Sequence, residues 1–313
     1  MIKKIVLGVC LIGCTAHIQA HSYLFSHGFG ETYRQANRYL RQYYNCLGML
    51  RTNENYILDT PIKLFNYPDA GRPPFLFKTS FGQKNEIDAL KKAYYEMLDD
   101  NIILFGVSRG AAVAVNFAGI YRPARLKALV VEAPFDHIKN VFDTHWFVNT
   151  ISKVPLISKP FMFKFFLWLT KYQEDGEHPI DNVGNIRHDL PVLFMCSKAD
   201  GVVPYRSTVD LYKRLVANGH PNVYLVRFET GKHAKLLQSE HGQVCRDLVH
   251  VFYEKYGLPH NPAFVTQQAR DALANECQPT IEQLQREEMR AVHVQMKAFH
   301  AERNANNCCG LIR

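Results

Sequence analysis

The chain has 313 residues, 47% of them hydrophobic and 21% charged, a balance that excludes disorder over most of the chain and suits one large α/β domain with an insertion or extension. The formal net charge of +8 is dispersed, without the compact basic block or motif that nucleic-acid recognition requires, so no nucleic-acid partner is expected.

In chain order, Lys3 and Lys4 precede the apolar run Ile5 to Ile12, too short to span a bilayer and laid out as a secretory signal. Ile18-Gln19-Ala20 offers a small residue for cleavage, so 1–20 reads as a signal peptide and the mature chain, secreted or periplasmic, starts near His21. Leu11-Ile12-Gly13-Cys14 also resembles the bacterial lipobox, which would lipidate Cys14 and anchor the protein to a membrane. A third reading makes the run a buried first strand of a cytosolic protein. Beyond it, Cys46, Cys196, Cys245, Cys277, Cys308 and Cys309 show neither a disulfide framework nor Cys/His spacing for zinc, and Cys196 sits in an apolar run as a small core residue.

Short apolar runs alternate with amphipathic stretches, the pattern of parallel strands joined by helical crossovers. Strands are expected at Tyr23–Ser26, Ile62–Asn66, Ile102–Gly106, Ala128–Glu132, Val192–Cys196 and Val223–Phe228, and helices at Glu31–Tyr44, Glu86–Leu98, Arg109–Tyr121, Ser207–Ala217 and Leu236–Tyr256. The expected fold is α/β: a doubly wound, mostly parallel sheet of about six strands flanked by helices over 21–257, with a helical insertion at 137–190 and a helical C-terminal extension at 258–313. The insertion contains Phe161 to Leu169, apolar on nearly every side of a helix. Such a helix either forms a lid lining an apolar pocket or lies buried on the sheet. In the extension, Ile281, Leu284, Val292, Met296 and Phe299 recur at roughly helical spacing, for docking on the same domain or on a partner.

The strand Ile102–Gly106 runs into Gly106-Val107-Ser108-Arg109-Gly110 and then a good helix former, which is G-x-S-x-G in the strand–turn–helix setting of a nucleophile elbow. Gly106 and Gly110 remove side chains where the elbow is tight. A serine hydroxyl needs a base at neutral pH, and His233 follows the last strand while Asp200 follows the strand before it. All three then emerge at carboxyl ends of strands, where open α/β sheets build their sites. Asp136 is the alternative acid, and His241 and His220 are rivals of His233, the first inside a helix and the second before the last strand. After the first strand, His27-Gly28-Phe29-Gly30 lets backbone approach a substrate oxygen. The backbone N–H groups of Phe29 and Arg109 are the expected oxyanion donors, with His27 holding the loop.

This constellation of His27 to Gly30, Gly106 to Gly110, Asp200 with Val203-Pro204, and His233 resembles the α/β-hydrolase superfamily over about Tyr23 to Tyr256. The resemblance implies that larger members' first hairpin is missing here, leaving a six-stranded core. It implies a Ser108–His233–Asp200 triad acting on a small acyl or peptide substrate through an acyl-enzyme, with no cofactor and no metal. A carboxylic-ester hydrolase is the first reading. A serine peptidase or acyltransferase on the same fold, and a non-catalytic hydrolase-like binding protein, are the others.

Overall fold

The computed structural model describes residues 21–32, 62–70, 79–153 and 158–291, together with 293 and 297. The expectations for 1–20, including Cys14, lie outside these residues, as do those for Cys46, Val292, Met296, Phe299, Cys308, Cys309 and most of the helix placed at Glu31–Tyr44. Glu31 and Thr32 are described, and neither is helical.

Among the described residues six strands form one sheet: β1 (His21–Ser26), β2 (Ile62–Lys63), β3 (Asn101–Val107), β4 (Leu126–Glu132), β5 (Val192–Ser197) and β6 (Val223–Phe228). Their order is β2-β1-β3-β4-β5-β6 and every pairing is parallel. The order reverses beside β1: the chain first steps outward to β2, then crosses to β3 on the other side. That switch point opens a crevice between the ends of β1 and β3.

The helices are α1 (Lys84–Tyr95), α2 (Arg109–Tyr121), α3 (Ile138–Thr144), α4 (Trp146–Ile151), α5 (Lys159–Leu169), α6 (Pro179–Asn182), α7 (Tyr205–Ala217), α8 (Gly242–Lys255) and α9 (Gln267–Asn275). Side chains alternate across a strand, so one strand feeds two cores. Ile102 and Leu104 of β3 pack with Leu90 of α1, Val113 of α2 and Leu211 of α7. Ile103, Phe105 and Val107 pack with Leu248 and Phe252 of α8 and Leu273 of α9. All seven residues of β3 are buried, as a parallel strand covered on both faces requires.

Two elements differ from the sequence expectation. The strand placed at Ile62–Asn66 stops at Lys63, because the chain then turns to pack the rings of Phe65 and Tyr67 on His27 at 6.2 and 4.7 Å. The helix placed at Leu236–Tyr256 is a 3-10 turn at Leu236–Gln238 and then α8, interrupted where Ser239 Oγ accepts from the His241 N–H. His241 is therefore the N-cap of α8 and not inside a helix. In the extension, α9 packs on α8, residues 281–291 are helical, and the Leu225 N–H donates to the Cys277 carbonyl at 2.7 Å.

Candidate active site

Between β3 and α2 the chain reverses at Ser108, whose φ of 54° and ψ of −121° put a non-glycine residue in a strained region. Close approach enforces the flanking glycines. A Cβ on Gly110 would lie 2.0 Å from the Ser26 carbonyl oxygen, and one on Gly106 would lie 2.7 Å from the Ala111 Cα. Ala133 and Ala234, after β4 and after His233, share the positive φ at 51° and 53°. Backbone strain thus collects at the carboxyl edge of the sheet, around the crevice.

The His233 imidazole bridges the other two expected residues: Nε2 lies 2.7 Å from Ser108 Oγ and Nδ1 lies 2.7 Å from Asp200 Oδ2. Asp200 is nearly inaccessible, and its second oxygen accepts the N–H groups of Val202 and Val203 at 2.8 and 3.0 Å. The carboxylate is thereby clamped with one oxygen left for the imidazole. In this arrangement Nδ1–H donates to Asp200 and Nε2 accepts from the serine hydroxyl, the tautomer a general base needs.

The alternative residues are committed elsewhere. Asp136 accepts the His137 N–H at 2.8 Å on one oxygen and Asn140 Nδ2 at 2.8 Å on the other, which ties it to the start of α3. His220 bonds the Arg187 carbonyl at 2.9 Å, and His241 lies 2.7 Å from Thr230 Oγ1.

Gly28 stands beside Ser108: a Cβ there would be 3.8 Å from Ser108 Cβ. Its carbonyl accepts from the His27 ring at 3.0 Å and from Arg109 Nη2 at 3.1 Å. Because a trans peptide directs its N–H opposite its carbonyl, these two inward bonds turn the Phe29 N–H away from the protein's interior. The Arg109 N–H, first in its helix, has no intrahelical acceptor. Gly28's own N–H is taken by Glu31 Oε2 at 3.1 Å, and burial raises the pKa of the Glu31 carboxyl.

The side chain of Arg109 is the feature that sequence reading missed. It is buried, and it reaches Asp69 Oδ2 at 2.5 Å, Glu86 Oε1 at 3.2 Å and the rings of Tyr67 and Phe29 at 4.6 and 5.5 Å. Glu86 also accepts from Thr79 Oγ1 at 2.7 Å and from the backbone of Ser80 and Gly82. One guanidinium therefore binds the elbow to the β1 loop, the β2 loop and the start of α1. Removing one partner of a buried ion cluster leaves bare charge in a low dielectric, at about 3–5 kcal/mol. Arg109→Met should lose that much stability in urea unfolding, and Asp69→Asn with Glu86→Gln in the same chain should restore part of it. Additive losses would show that the charges are not coupled. Glu132 was also unforeseen: its carbonyl accepts the Ser108 N–H at 2.8 Å while its buried carboxylate accepts the Leu236 N–H at 3.1 Å, joining the elbow to the His233 loop.

His27 is wholly buried, and desolvation, helped by Arg109, lowers its pKa to about 4; burial lowers that of His250 on α8 to about 3. Both folded values lie below the unfolded value of 6.5, so on acidification the unfolded chain gains protons that the folded chain refuses. Stability is full above pH 6.5 and falls below it, by about 2 kcal/mol per histidine at pH 5. Urea midpoints at pH 7 and pH 5 should differ accordingly; equal midpoints would contradict the burial of both rings in neutral form.

An aromatic path leads out of the crevice. Phe29 meets Phe81 at 4.9 Å, Phe81 meets Phe166 of α5 at 5.1 Å, and Phe166 meets Phe142 of α3 at 5.6 Å. Phe163, Phe135, Val141 and Ala112 fill the space beneath. On α5, Phe163 is buried, Phe166 faces the aromatic path, and Phe161, Phe165 and Trp168 are exposed.

The sequence profile of the prolyl oligopeptidase family matches residues 83–257, more than half of the chain. The chain belongs to the prolyl oligopeptidase family. It is a serine hydrolase on the α/β-hydrolase fold, and the matched region holds Ser108, Asp200 and His233. Among solved structures, this prolyl oligopeptidase family member is similar to an esterase of Pyrococcus furiosus at 17% identity and TM-score 0.52, covering 76% of this chain and 83% of that one. It is also similar to an acylaminoacyl peptidase of Pyrococcus horikoshii at 17% identity and TM-score 0.53, covering 78% of this chain but 38% of that one. No curated protein matches it significantly by sequence.

Proposed function

We propose that this hydrolase cleaves carboxylic esters with an apolar acyl group, through an acyl-enzyme at Ser108. The observation that carries the proposal is the 2.7 Å Ser108–His233 contact at the mouth of the Phe29, Phe81 and Phe166 path. Ser108 Oγ attacks the acyl carbon while its proton passes to His233 Nε2, and Asp200 holds the ring and stabilises the imidazolium. The carbonyl oxygen, now an oxyanion, takes hydrogen bonds from the Phe29 and Arg109 N–H groups. As the intermediate collapses, His233 returns the proton to the departing alkoxide, and the acyl group stays on Ser108. Water then adds to that ester, giving a proton to His233; the acid leaves and Ser108 regains its proton.

The aromatic path of Phe29, Phe81 and Phe166 beside Ser108 supports an ester with an apolar acyl group. The family match favours a second reading, a serine peptidase. A panel of p-nitrophenyl esters and aminoacyl p-nitroanilides, run beside fluorophosphonate labelling, tests the proposal. Labelling at Ser108 with turnover rising from acetyl to longer acyl esters is expected. Labelling with turnover of anilides alone would establish the peptidase, and absence of labelling would remove the acyl-enzyme.

A further inference from the structure

Helix α5 has two apolar faces, one packed inward and one exposed. Phe163 and Phe166 pack inward, whereas Phe161, Lys164, Phe165 and Trp168, spaced i, i+3, i+4 and i+7, form a single exposed stripe. Phe161 is 61% exposed and Trp168 is 71% exposed, large values for rings of this size in a soluble fold. At eleven residues the helix is far too short to cross a bilayer.

Along the chain, the run that carries the stripe has charge of one sign. Residues 144–173 contain Lys153, Lys159, Lys164 and Lys171 and no Asp or Glu; the nearest acids are Asp143 and Glu174. Lys159 bonds only a backbone carbonyl, that of Asp143 at 3.0 Å, and none of the four lysines forms an ion pair among the described residues. Aromatic rings flanked by lysines, on a helix lying along a surface, are built for the boundary between lipid headgroups and acyl chains: the rings enter the boundary and the long lysine stems carry their charge back to the headgroups.

We infer that the Phe161–Lys164–Phe165–Trp168 face of α5 docks on an anionic lipid surface. A second copy of the chain fits less well, because a two-fold contact would set Lys164 and its flanking lysines against their own images. Docking through this face leaves the inner face of α5 on Phe81, so the crevice opens beside the lipid boundary. The inference concerns the outer face alone and is independent of the chemistry at Ser108.

The test is co-sedimentation of the full chain with phosphatidylcholine vesicles and with vesicles of equal phosphatidylcholine and phosphatidylglycerol, at low and high salt. The unsubstituted chain is expected to partition onto the anionic vesicles, less at high salt. Phe161→Asp with Trp168→Asp should weaken partition about tenfold or more, and Lys164→Glu alone should weaken it severalfold. Both substituted chains should keep the parent's circular dichroism and thermal midpoint, since the side chains are exposed. Residues 1–20 are common to all variants, so the difference reads α5. Absence of anionic binding, or equal binding by all variants, would overturn the inference. So would a dimer, seen by light scattering, that Phe161→Asp dissolves while no vesicle binding occurs.

Discussion

Replacing Ser108 by alanine is expected to lower kcat/KM toward an activated ester by at least about 10³-fold, and toward 10⁶-fold if the triad carries the whole rate, with the fold unchanged. The size follows from the role proposed for Oγ as the bond-forming atom: without it the 2.7 Å contact to His233 has no proton to move and no acyl-enzyme forms. The elbow survives the change. Its position is fixed by the Ser108 N–H bond to the Glu132 carbonyl and by Gly106 and Gly110 against their neighbours, and none of these uses the hydroxyl. His233→Ala should cost about as much, and the double variant little more, because residues acting as one unit do not lose rate additively. Steady-state kinetics beside far-ultraviolet circular dichroism checks this. Activity within tenfold of the parent in a folded Ser108→Ala chain would move the nucleophile elsewhere.

What could be read from the sequence was local. The runs Ile102–Val107 and Val192–Cys196 contain no polar side chain, so parallel strands covered on both faces follow from composition alone. Ser108, Asp200 and His233 each follow the carboxyl end of a strand within a few residues, and a parallel sheet brings those ends together. Arg109 was read only as a backbone donor because nothing local marks a buried arginine. Its partners are 40 and 23 residues earlier, and burial becomes affordable only when Asp69 and Glu86 arrive together. The aromatic path has the same character, since Phe29, Phe81, Phe142 and Phe166 belong to four separate segments with no shared periodicity. The break before α8 was hidden because Leu236, Leu237 and the residues after Gly242 keep helical spacing across it; the capping of Ser239 decides the boundary, and hydrophobic pattern does not register it.

The choice between Asp200 and Asp136 separates the triad from its nearest alternative. Asp200→Asn should cut kcat by about 10³- to 10⁴-fold with KM little altered, since the pocket is untouched while the imidazole loses its anchor. The amide makes matters worse than simple loss. Asn in the same place can turn its NH₂ toward His233 Nδ1, which then accepts, and Nε2 carries the proton and can no longer take one from Ser108. It can instead keep its oxygen toward the ring, but then the NH₂ faces the Val202 and Val203 N–H groups, two donors that now lack an acceptor. Only the second orientation leaves donors unsatisfied, at about 1–3 kcal/mol, so the first is favoured and the variant should lose rate with little loss of stability. Asp136→Asn predicts a different pattern. Its oxygens serve the His137 N–H and the Asn140 side chain at the start of α3, so turnover should fall by less than about tenfold while the helical insertion loosens modestly. Rate, KM and urea midpoint measured on both variants distinguish the roles. A large kcat loss in Asp136→Asn with near-normal Asp200→Asn would require the insertion to move during turnover and deliver Asp136 to His233. Small losses in both would leave a Ser108–His233 pair that works without a carboxylate.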